Sequence, residues 1–370
     1  MVKQGYKQTE IGVIPEDWEV KKVSEISRIT TGNKNTQDRI ENGIYPFFVR
    51  SQTIERINSF SFEGEAVLTA GDGVGVGKVF HYINGKFDYH QRVYAISHFD
   101  TNVYGFYFFK YFQNNFYNRI MQMTAKSSVD SVRMETIADM LIPLPPLAEQ
   151  EAIATALSDA DVWIEHLEQL IAKKRLIKQG AMQELLTPPS EELVLSGVEA
   201  WEMKKLGEVL KSVGSGTSNT LSDGQSFPIY GSTGVIGFKN YYDYEGHNIT
   251  VARVGANAGR VNIISGQYCV SDNTLLLVPS NEIHVKFLFY FLIKANLNNL
   301  VFGSGQPLIT GGQLKVLELF LPNLCEQERI ATILSDMDTE LENLANQLAK
   351  ARQIKQGMMQ ELLTGRTRLV

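Results

Sequence analysis

The sequence has little cysteine and no long apolar run, and these two shortages exclude whole classes of protein. Two of its 370 residues are cysteine, far too few for a disulfide framework, which fits a reducing compartment. No stretch approaches 18 consecutive apolar residues, so we expect no membrane-spanning segment. The first residues lack the apolar core of a secretory signal. We therefore expect a cytoplasmic protein.

An excess of positive charge is also missing. Lys and Arg number 35 against 41 Asp and Glu, a formal net charge of −6. Such a chain does not bind nucleic acid by charge alone. The distribution is uneven, however, because residues 20–143 and 203–320 each carry a net +2, whereas residues 144–202 carry −7. The excess acid therefore lies outside two mildly basic regions.

What the sequence does contain is an internal duplication. Residues 144–187 and 321–364 match at a constant spacing of 177, with 28 of 44 positions identical. Weaker matches precede each copy: Trp18 corresponds to Trp201, and the glycine-containing run 73–79 corresponds to 255–261. The pattern predicts a variable domain at 1–143, a helical region at 144–189, a variable domain at 190–320 and a helical region at 321–370.

The near-constant segments have the spacing of long helices. Their apolar residues alternate steps of three and four, the heptad seam that buries one helix against another. Residues 147–186 would form a helix about 60 Å long. We expect the two helices to pair antiparallel as a coiled-coil rod; a generic coiled-coil dimerisation arm is the alternative. The predicted helix-pairing residues are Ile153, Leu157, Ile164, Leu167, Ile171, Ile330, Leu334, Leu341, Leu344 and Leu348.

The variable regions predict an α/β (α+β) fold with a mostly antiparallel or mixed sheet. Short runs rich in Tyr, Phe, Val and Ile are separated by turn pairs such as Asn84-Gly85. The aromatic run 103–112 and its counterpart 285–292 are too continuous for a solvent-facing platform. We expect each to form a helix that covers a sheet.

Motifs for catalysis are weak. The run Gly71–Val79 resembles a phosphate loop, but Asp72 and Val79 stand where that motif needs Gly and Ser or Thr. We interpret this run as a tight connection between strands. The six histidines are scattered, so no metal cluster is expected. The sequence thus predicts no catalytic residue, no metal and no cofactor in this chain.

The layout resembles the specificity (S) subunit of type I restriction-modification systems, HsdS-like. The resemblance covers nearly the whole chain, and its doubled architecture is specific. It is carried by GVIPEDW at 12–18, by LPxLxEQE at 144–151 and 321–328, and by IKQGxMQELLT at 177–187 and 354–364.

This resemblance implies a non-catalytic role in a bacterial or archaeal cytoplasm. Each variable region would be a target recognition domain that reads one half of a split, asymmetric double-stranded DNA target. The helices would set the spacing and dock two methyltransferase (M) subunits, and restriction (R) subunits would join them. S-adenosylmethionine for adenine-N6 methylation would be bound by the M subunits, and ATP with Mg²⁺ by the R subunits.

Base readers in such domains should be polar residues on loops. Lys78 and Arg260 are favoured because they hold matching positions after the glycine runs. The candidates in the first domain are Lys34, Arg50, Ser51, Lys78, Arg92, Lys126 and Ser128. Those in the second are Ser218, Asn219, Ser232, Arg253, Asn257, Arg260, Ser304 and Gln306.

Two other functions remain open at this stage. A stand-alone DNA-binding regulator would bind duplex DNA tightly without partners. A coiled-coil protein-interaction scaffold would make no sequence-dependent DNA contact in any assembly.

Overall fold

The computed structural model describes residues 3–123, 131–197, 199–219, 222–302 and 307–369. The chain divides into two compact units: unit 1 is Met1–Leu167 with Gln347–Val370, and unit 2 is Glu168–Asn346. Each unit therefore takes part of both long helices. Among the described residues, no helix has the length and apolarity needed to cross a bilayer.

Unit 1 combines the first variable region with parts of both long helices. Its strands are β1 (Tyr6–Thr9), β2 (Gly12–Pro15), β3 (Glu19–Lys22), β4 (Arg28–Thr31), β5 (Tyr45–Phe48), β6 (Glu55–Ile57), β7 (Phe62–Ala70), β8 (Phe80–Tyr89), β9 (Val93–Ser97) and β10 (Leu141–Leu144). The helices that begin in it are α1 (Val23–Ile26), α2 (Gly105–Met123), α3 (Met134–Ala138) and α4 (Leu147–Leu185).

Unit 2 repeats this plan. Its strands are β11 (Glu202–Lys205), β12 (Leu210–Ser215), β13 (Phe227–Gly231), β14 (Gly234–Lys239), β15 (Tyr244–Glu245), β16 (Asn248–Ala252), β17 (Val261–Ile264), β18 (Gln267–Val270), β19 (Thr274–Pro279) and β20 (Glu318–Leu321). The helices that begin in it are α5 (Glu191–Leu195), α6 (Val285–Lys294), α7 (Gly311–Lys315) and α8 (Leu324–Leu362).

The sheets are mixed, as predicted. In unit 1 the main sheet has the order β4-β9-β7-β8-β5-β6, and its strand pairs are antiparallel except for β5 with β8. In unit 2 the corresponding strands form two sheets, β12-β19-β16-β17 and β14-β13-β18-β15, with β13 and β18 parallel. The pair β3–β10 also recurs as β11–β20. The two variable regions therefore share one fold despite their divergent sequences.

The aromatic runs form helices that cover these sheets, which confirms that prediction. In α2, Phe108, Phe112 and Phe116 follow each other at steps of four and therefore lie on one face. Their rings stack at centroid distances of 5.5 and 4.4 Å, and Phe80 of β8 meets Phe112 edge-on at 5.7 Å. All three helix residues are fully buried. Aromatic side chains of this size dominate the energetics of a core.

A buried glutamine ties the start of each long helix to the loop before the aromatic helix. Gln150 Nε2 donates to Asn102 O at 2.8 Å, and its Oε1 accepts from Tyr104 N at 2.8 Å. In unit 2, Gln327 Nε2 donates to Glu282 O at 3.1 Å, and its Oε1 accepts from His284 N at 2.8 Å. The two glutamines belong to the LPxLxEQE motifs. A glutamine is therefore needed at this motif position, because its amide both donates to and accepts from main-chain groups of the loop.

The end of each long helix enters the core of the unit opposite to the one where it began. Leu363, after α8, is 1% exposed and shares a core with Trp18 of unit 1. Its repeat counterpart Leu186, after α4, is 5% exposed and shares a core with Phe287 of unit 2. Within each unit, the start of one long helix therefore lies with the end of the other, in antiparallel order.

The predicted heptad seam is the buried side of the helices, but its first residues do not serve helix pairing alone. Ile153 and Leu157 are fully buried in the unit 1 core, and Ile330 and Leu334 are fully buried in the unit 2 core. Each helix start is therefore built into the core of a variable region. The same cores also hold the end of the other long helix, Leu362 and Leu363 in unit 1 and Leu186 in unit 2. The later seam residues are buried or half-buried: Ile164, Leu167, Ile171, Leu341, Leu344 and Leu348. Their coiled-coil packing stays a prediction.

Candidate nucleic-acid interface

The glycine runs form matching turns between strands. Gly73–Gly75 is a short 3-10 turn between β7 and β8, and Gly255–Asn257 is its counterpart between β16 and β17. Gly77 follows with φ of +67° and Gly259 with φ of +88°, a region that favours glycine. A Cβ at Gly77 would lie 2.9 Å from Tyr117, and one at Gly259 would lie 2.9 Å from the Asn298 nitrogen. The runs are thus tight connections, as predicted.

Lys78 and Arg260 occupy the same position in these turns. Lys78 N donates to Gly75 O at 3.0 Å, and Arg260 N donates to Asn257 O at 2.9 Å. Both side chains are exposed. Their predicted correspondence is therefore confirmed, whereas contact with DNA stays a prediction.

Loops around these turns form a rim on each unit that carries both polar and apolar side chains. The rim of unit 1 is defined here as residues 49–51, 71–78, 90–92 and 131–133; the rim of unit 2 is residues 231–233, 253–260, 271–273 and 307–309. Matched backbone bonds relate the two. Gly71 N donates to Arg92 O at 2.8 Å, and Arg253 N donates to Asn273 O at 3.0 Å. Likewise, Asp72 bridges to Ser131 as Val254 bridges to Leu308.

Asp72 brings two of the predicted base readers together on the rim of unit 1. Arg50 Nη1 donates to Asp72 Oδ1 at 2.8 Å. Arg92 Nε lies 3.6 Å from Asp72 Oδ2. The side chains of Arg50 and Arg92 are 44% and 65% exposed, whereas that of Asp72 is 24% exposed. Together Arg50, Arg92 and Asp72 form the Asp72 group, which carries two positive charges and one negative charge. Its net charge is therefore positive, and its two arginine side chains are exposed to solvent.

His90 fixes the backbone of this group. Its Nδ1 accepts a hydrogen bond from Arg92 N at 2.9 Å, and the residue is 5% exposed. Burial lowers the pKa of His90 below its usual value of 6.5, and the charge of Arg50 acts in the same direction. The neutral ring favoured by this shift is the form that can accept at Nδ1.

The two other described candidates of the first domain, Lys34 and Ser51, are bonded to neighbouring segments mainly through their backbone atoms. Lys34 is half-buried, pairs with His90 as an isolated β-bridge, and its carbonyl accepts from Gln91 N at 2.9 Å. Ser51 is exposed; its hydroxyl donates to Thr53 O at 3.0 Å, and its carbonyl lies 3.1 Å from His81 Nε2. Both lie next to the rim residues Arg50 and His90.

In unit 2, one candidate is not at the surface. Ser218 is 5% exposed, and its hydroxyl donates to Asp243 Oδ2 at 2.6 Å. The structure therefore places its side chain inside the domain, where it is not free to read a base. Asn219 is exposed, and its Oδ1 accepts from Lys239 Nζ at 3.0 Å. Lys239 is 2% exposed and also donates to Asp223 at 2.9 Å, so this lysine holds the loop in place.

The remaining described candidates of unit 2 lie on its rim. Ser232 and Arg253 are half-buried, and Arg253 Nη1 donates to Asp272 O at 3.4 Å. Asn257 and Arg260 line an open cavity of about 370 Å³ together with Asn298. Four candidates, Lys126, Ser128, Ser304 and Gln306, lie outside the described residues.

Asp72 organises the rim of unit 1, and it is not among the base readers predicted from the sequence. In the sequence it stands out only as a mismatch to a phosphate-loop motif. An acidic residue inside a glycine-rich turn of a mildly basic domain is a weak signal that it pairs with nearby arginines, and only the fold shows which ones. Within the described ranges, no group of three or more His, Cys, Asp or Glu side chains is placed to hold a metal ion.

Comparisons with known proteins agree with the duplicated fold. The family model described as type I restriction modification DNA specificity domain matches residues 15–174 and 198–351. The putative type I restriction enzyme MjaX specificity subunit of Methanocaldococcus jannaschii is 27% identical over 419 aligned residues, covering 99% of this chain and 97% of that protein. The EcoprrI specificity subunit of Escherichia coli is 26% identical over 243 residues, covering 63% of this chain and 60% of that protein.

Solved structures share the architecture. A type I restriction-modification S subunit from M. genitalium has a TM-score of 0.64 at 19% identity, covering 93% of this chain and 96% of that one. The HsdS subunit of Thermoanaerobacter tengcongensis has a TM-score of 0.51 at 18% identity, covering 99% of this chain and 100% of that one. At these identities the likeness is one of fold.

Proposed function

Because this chain belongs to the family of type I restriction-modification DNA specificity domains, we propose that each of its two units reads one half of a split, asymmetric target in double-stranded DNA. The observation that carries the proposal is the pair of rims. Equivalent backbone positions hold different side chains: Asp72 corresponds to Val254, and Arg92 to Asn273. Two scaffolds of one fold with different readers would recognise two different half-sites.

The charge distribution supports a reader that depends on partners. Each variable region carries a net charge of only +2, whereas most of the affinity of proteins for duplex DNA comes from phosphate neutralisation. We propose that the chain alone binds duplex DNA weakly and that its partners supply much of the phosphate contact.

We assign the docking of two methyltransferase subunits to the long helices. Support comes from a second apolar stripe on α4, separate from the buried seam. Trp163, Leu170 and Ile177 recur every seven residues and are 45%, 38% and 46% exposed. Large apolar side chains that stay exposed along one stripe mark a protein interface.

The chemistry of the assembly would reside in those partners. In this proposal the M subunits bind S-adenosylmethionine and methylate adenine at N6, and R subunits, where they join, bind ATP and Mg²⁺. This chain is the non-catalytic reader. The complex would work in the cytoplasm of a bacterium or archaeon, where the DNA is.

The test is a map of N6-methyladenine in cells with and without the gene. The proposal predicts that one bipartite motif is methylated in the parent strain, is absent in the deletion strain and returns on complementation. If every methylated motif persists in the deletion strain, the proposed function is wrong.

A further inference from the structure

The Asp72 group suggests which base unit 1 reads, an inference that rests on the proposed function. Arg50 and Arg92 are well exposed and share one carboxylate. Exposed ion pairs contribute little to stability, so folding alone does not account for the group. It lies beside an open cleft of about 610 Å³, lined in part by Asp72, Gln91, Arg92 and Arg133.

The orientation of Arg92 leaves its reading atoms available. Its Nε is the atom nearest Asp72, at 3.6 Å. Among the described residues, no hydrogen bond involves its terminal Nη1 and Nη2 atoms. These two nitrogens form the fork that can bind O6 and N7 of guanine together. The backbone is held at both ends, because Arg92 N donates to His90 Nδ1 at 2.9 Å and Arg92 O accepts from Gly71 N at 2.8 Å.

Asp72 favours a base over a phosphate as the partner of Arg92. A carboxylate beside the DNA backbone would repel a phosphate, whereas a guanine edge offers two uncharged acceptors. The cytosine paired with that guanine presents an N4 amino group, which can donate a hydrogen bond to a carboxylate oxygen. Arg92 and Asp72 together therefore complement a G·C pair in the major groove. Arg50 offsets the negative charge of Asp72 through its 2.8 Å hydrogen bond.

Unit 2 lacks this chemistry at the equivalent positions. Phe48 O accepts from His90 N at 2.9 Å, and Tyr230 O accepts from Ser271 N at 3.0 Å. Phe48 and Tyr230 are therefore equivalent positions. Arg50 and Ser232, each two residues further along the chain, are equivalent as well. With Asp72 replaced by Val254 and Arg92 by Asn273, the equivalent positions of unit 2 hold no charged side chain. Arg253 lies beside these positions, but its Nη1 donates to the main-chain oxygen of Asp272 and not to a carboxylate. The device belongs to one half of the target only.

We propose that Arg92 reads a guanine in the half-site bound by unit 1 and that Asp72 both positions Arg92 and accepts a hydrogen bond from the paired cytosine. Loss of the two-pronged contact should lower discrimination at one base position by about ten-fold. Loss of Asp72 should weaken the same position while the complex still assembles.

The experiment maps methylated motifs in deletion cells complemented with the wild-type chain or with one variant. Arg92→Ala is expected to relax one guanine in one half of the motif and to leave the other half unchanged. Arg92→Lys keeps the charge but has no fork, so it should relax the same position. Asp72→Asn should relax it to a smaller extent. The control is Arg28→Ala. Arg28 is exposed at the start of β4, where it pairs with Ser97 of β9, and Thr31 is at the other end of the strand. This variant should preserve the motif.

Three outcomes would overturn the inference while leaving the proposed function intact. In the first, the wild-type motif contains no guanine in either half. In the second, the motif of the Arg92→Ala variant is identical to the wild-type motif. In the third, the position that is relaxed is not a guanine. A uniform fall in methylation at an unchanged motif belongs to the second outcome, since it would place Arg92 on a phosphate. If the wild-type chain restores no bipartite motif at all, the proposed function itself fails.

Discussion

Asp161 and Asp338 lie 177 positions apart in the chain and bind matching sets of partners. Asp161 of α4 accepts from Lys110 of α2 at 2.7 Å and pairs with Lys355 of α8. Asp338 of α8 accepts from the Tyr290 hydroxyl of α6 at 2.7 Å and pairs with Lys178 of α4. In each unit, one aspartate thus joins the aromatic helix to both long helices. The duplication has preserved this clamp even though its aromatic-helix partner changed from Lys to Tyr.

Asp161→Asn should loosen the clamp of unit 1. Burial opposes ionisation of Asp161, but hydrogen bonds from Lys110 and Lys355 prevail and hold its pKa below the usual value. We expect a loss of about 1.5 kcal/mol in the free energy of unfolding, the scale of a hydrogen bond to a charged group. Urea unfolding measures it. The loss should be less than additive with Lys355→Ala, and Asp159→Asn, at an exposed position of α4, should cost little. Additive losses would show that the pair is not coupled.

Arg368→Ala should be more damaging. Arg368 Nε donates to Glu149 Oε1 at 2.6 Å and its Nη1 to Asp17 Oδ1 at 3.0 Å. Glu149 is 1% exposed and also accepts from Trp18 Nε1 at 3.0 Å. Removal of the arginine leaves a buried carboxylate unpaired, which costs about 3 kcal/mol. Thermal unfolding should show this loss.

Two further variants separate the charge effect from a general effect of shortening the side chain. Glu149→Gln in the Arg368→Ala background should recover part of the stability, because it removes the unpaired charge but keeps an acceptor for Trp18. Arg366→Ala, whose side chain is 67% exposed, should change stability by at most about 0.5 kcal/mol. No recovery in the double variant would refute the role of the buried charge.

The melting temperature should fall as the pH drops below about 6.5. Burial lowers the pKa values of His81, His90 and His284 below their usual 6.5. The folded state then binds fewer protons than the unfolded state, so this stability is complete above 6.5 and is lost as the pH falls toward the folded pKa values. Calorimetry between pH 7.5 and 5.5 tests it. His90→Gln should flatten the dependence, whereas the exposed His166→Gln should leave it; a flat wild-type profile would contradict it.

Glycine substitutions should have opposite signs at two sites. A Cβ at Gly32 would lie 1.9 Å from Tyr89 O, so Gly32→Ala should destabilise by about 2–3 kcal/mol. Gly180 lies in α4 with nothing within 4 Å of an added Cβ. Gly180→Ala should stabilise by about 1 kcal/mol because alanine favours a helix. Chemical denaturation of both variants gives the sign, and equal signs would refute the explanation.

The sequence was most informative where a repeat or a period was involved. The 177-residue spacing predicted two copies of one segment, and the three-and-four spacing of apolar residues predicted that each copy is a long helix. The observed helices are Leu147–Leu185 and Leu324–Leu362. The continuous aromatic run predicted α2, because so many adjacent aromatic side chains are too continuous for a solvent-facing surface and indicate a helix that covers a sheet. In contrast, the heptad pattern records only that Ile153 and Leu157 are buried. It does not distinguish a partner helix from the core of a domain, and here both residues share one core with the variable region and with Leu362 and Leu363 at the end of α8.

The candidate site was predicted only in part, for a physical reason. Arg50 and Arg92 were chosen as polar loop residues, but their association depends on Asp72, which is 22 and 20 positions away in the chain. Ser218 has the same local pattern as a surface reader, yet its hydrogen bond to Asp243 places it in the interior. Neither contact produces a periodic pattern in the sequence. The loops that make these contacts are brought together by strand pairing, which joins residues far apart in the chain.

The most direct test of the account is methylation by the assembled complex on duplexes in which one half of the mapped target is scrambled at a time. If each unit reads one half, scrambling either half should reduce adenine methylation to the level of unrelated DNA, while the intact target is methylated. Methylation that survives the loss of either half would contradict the account.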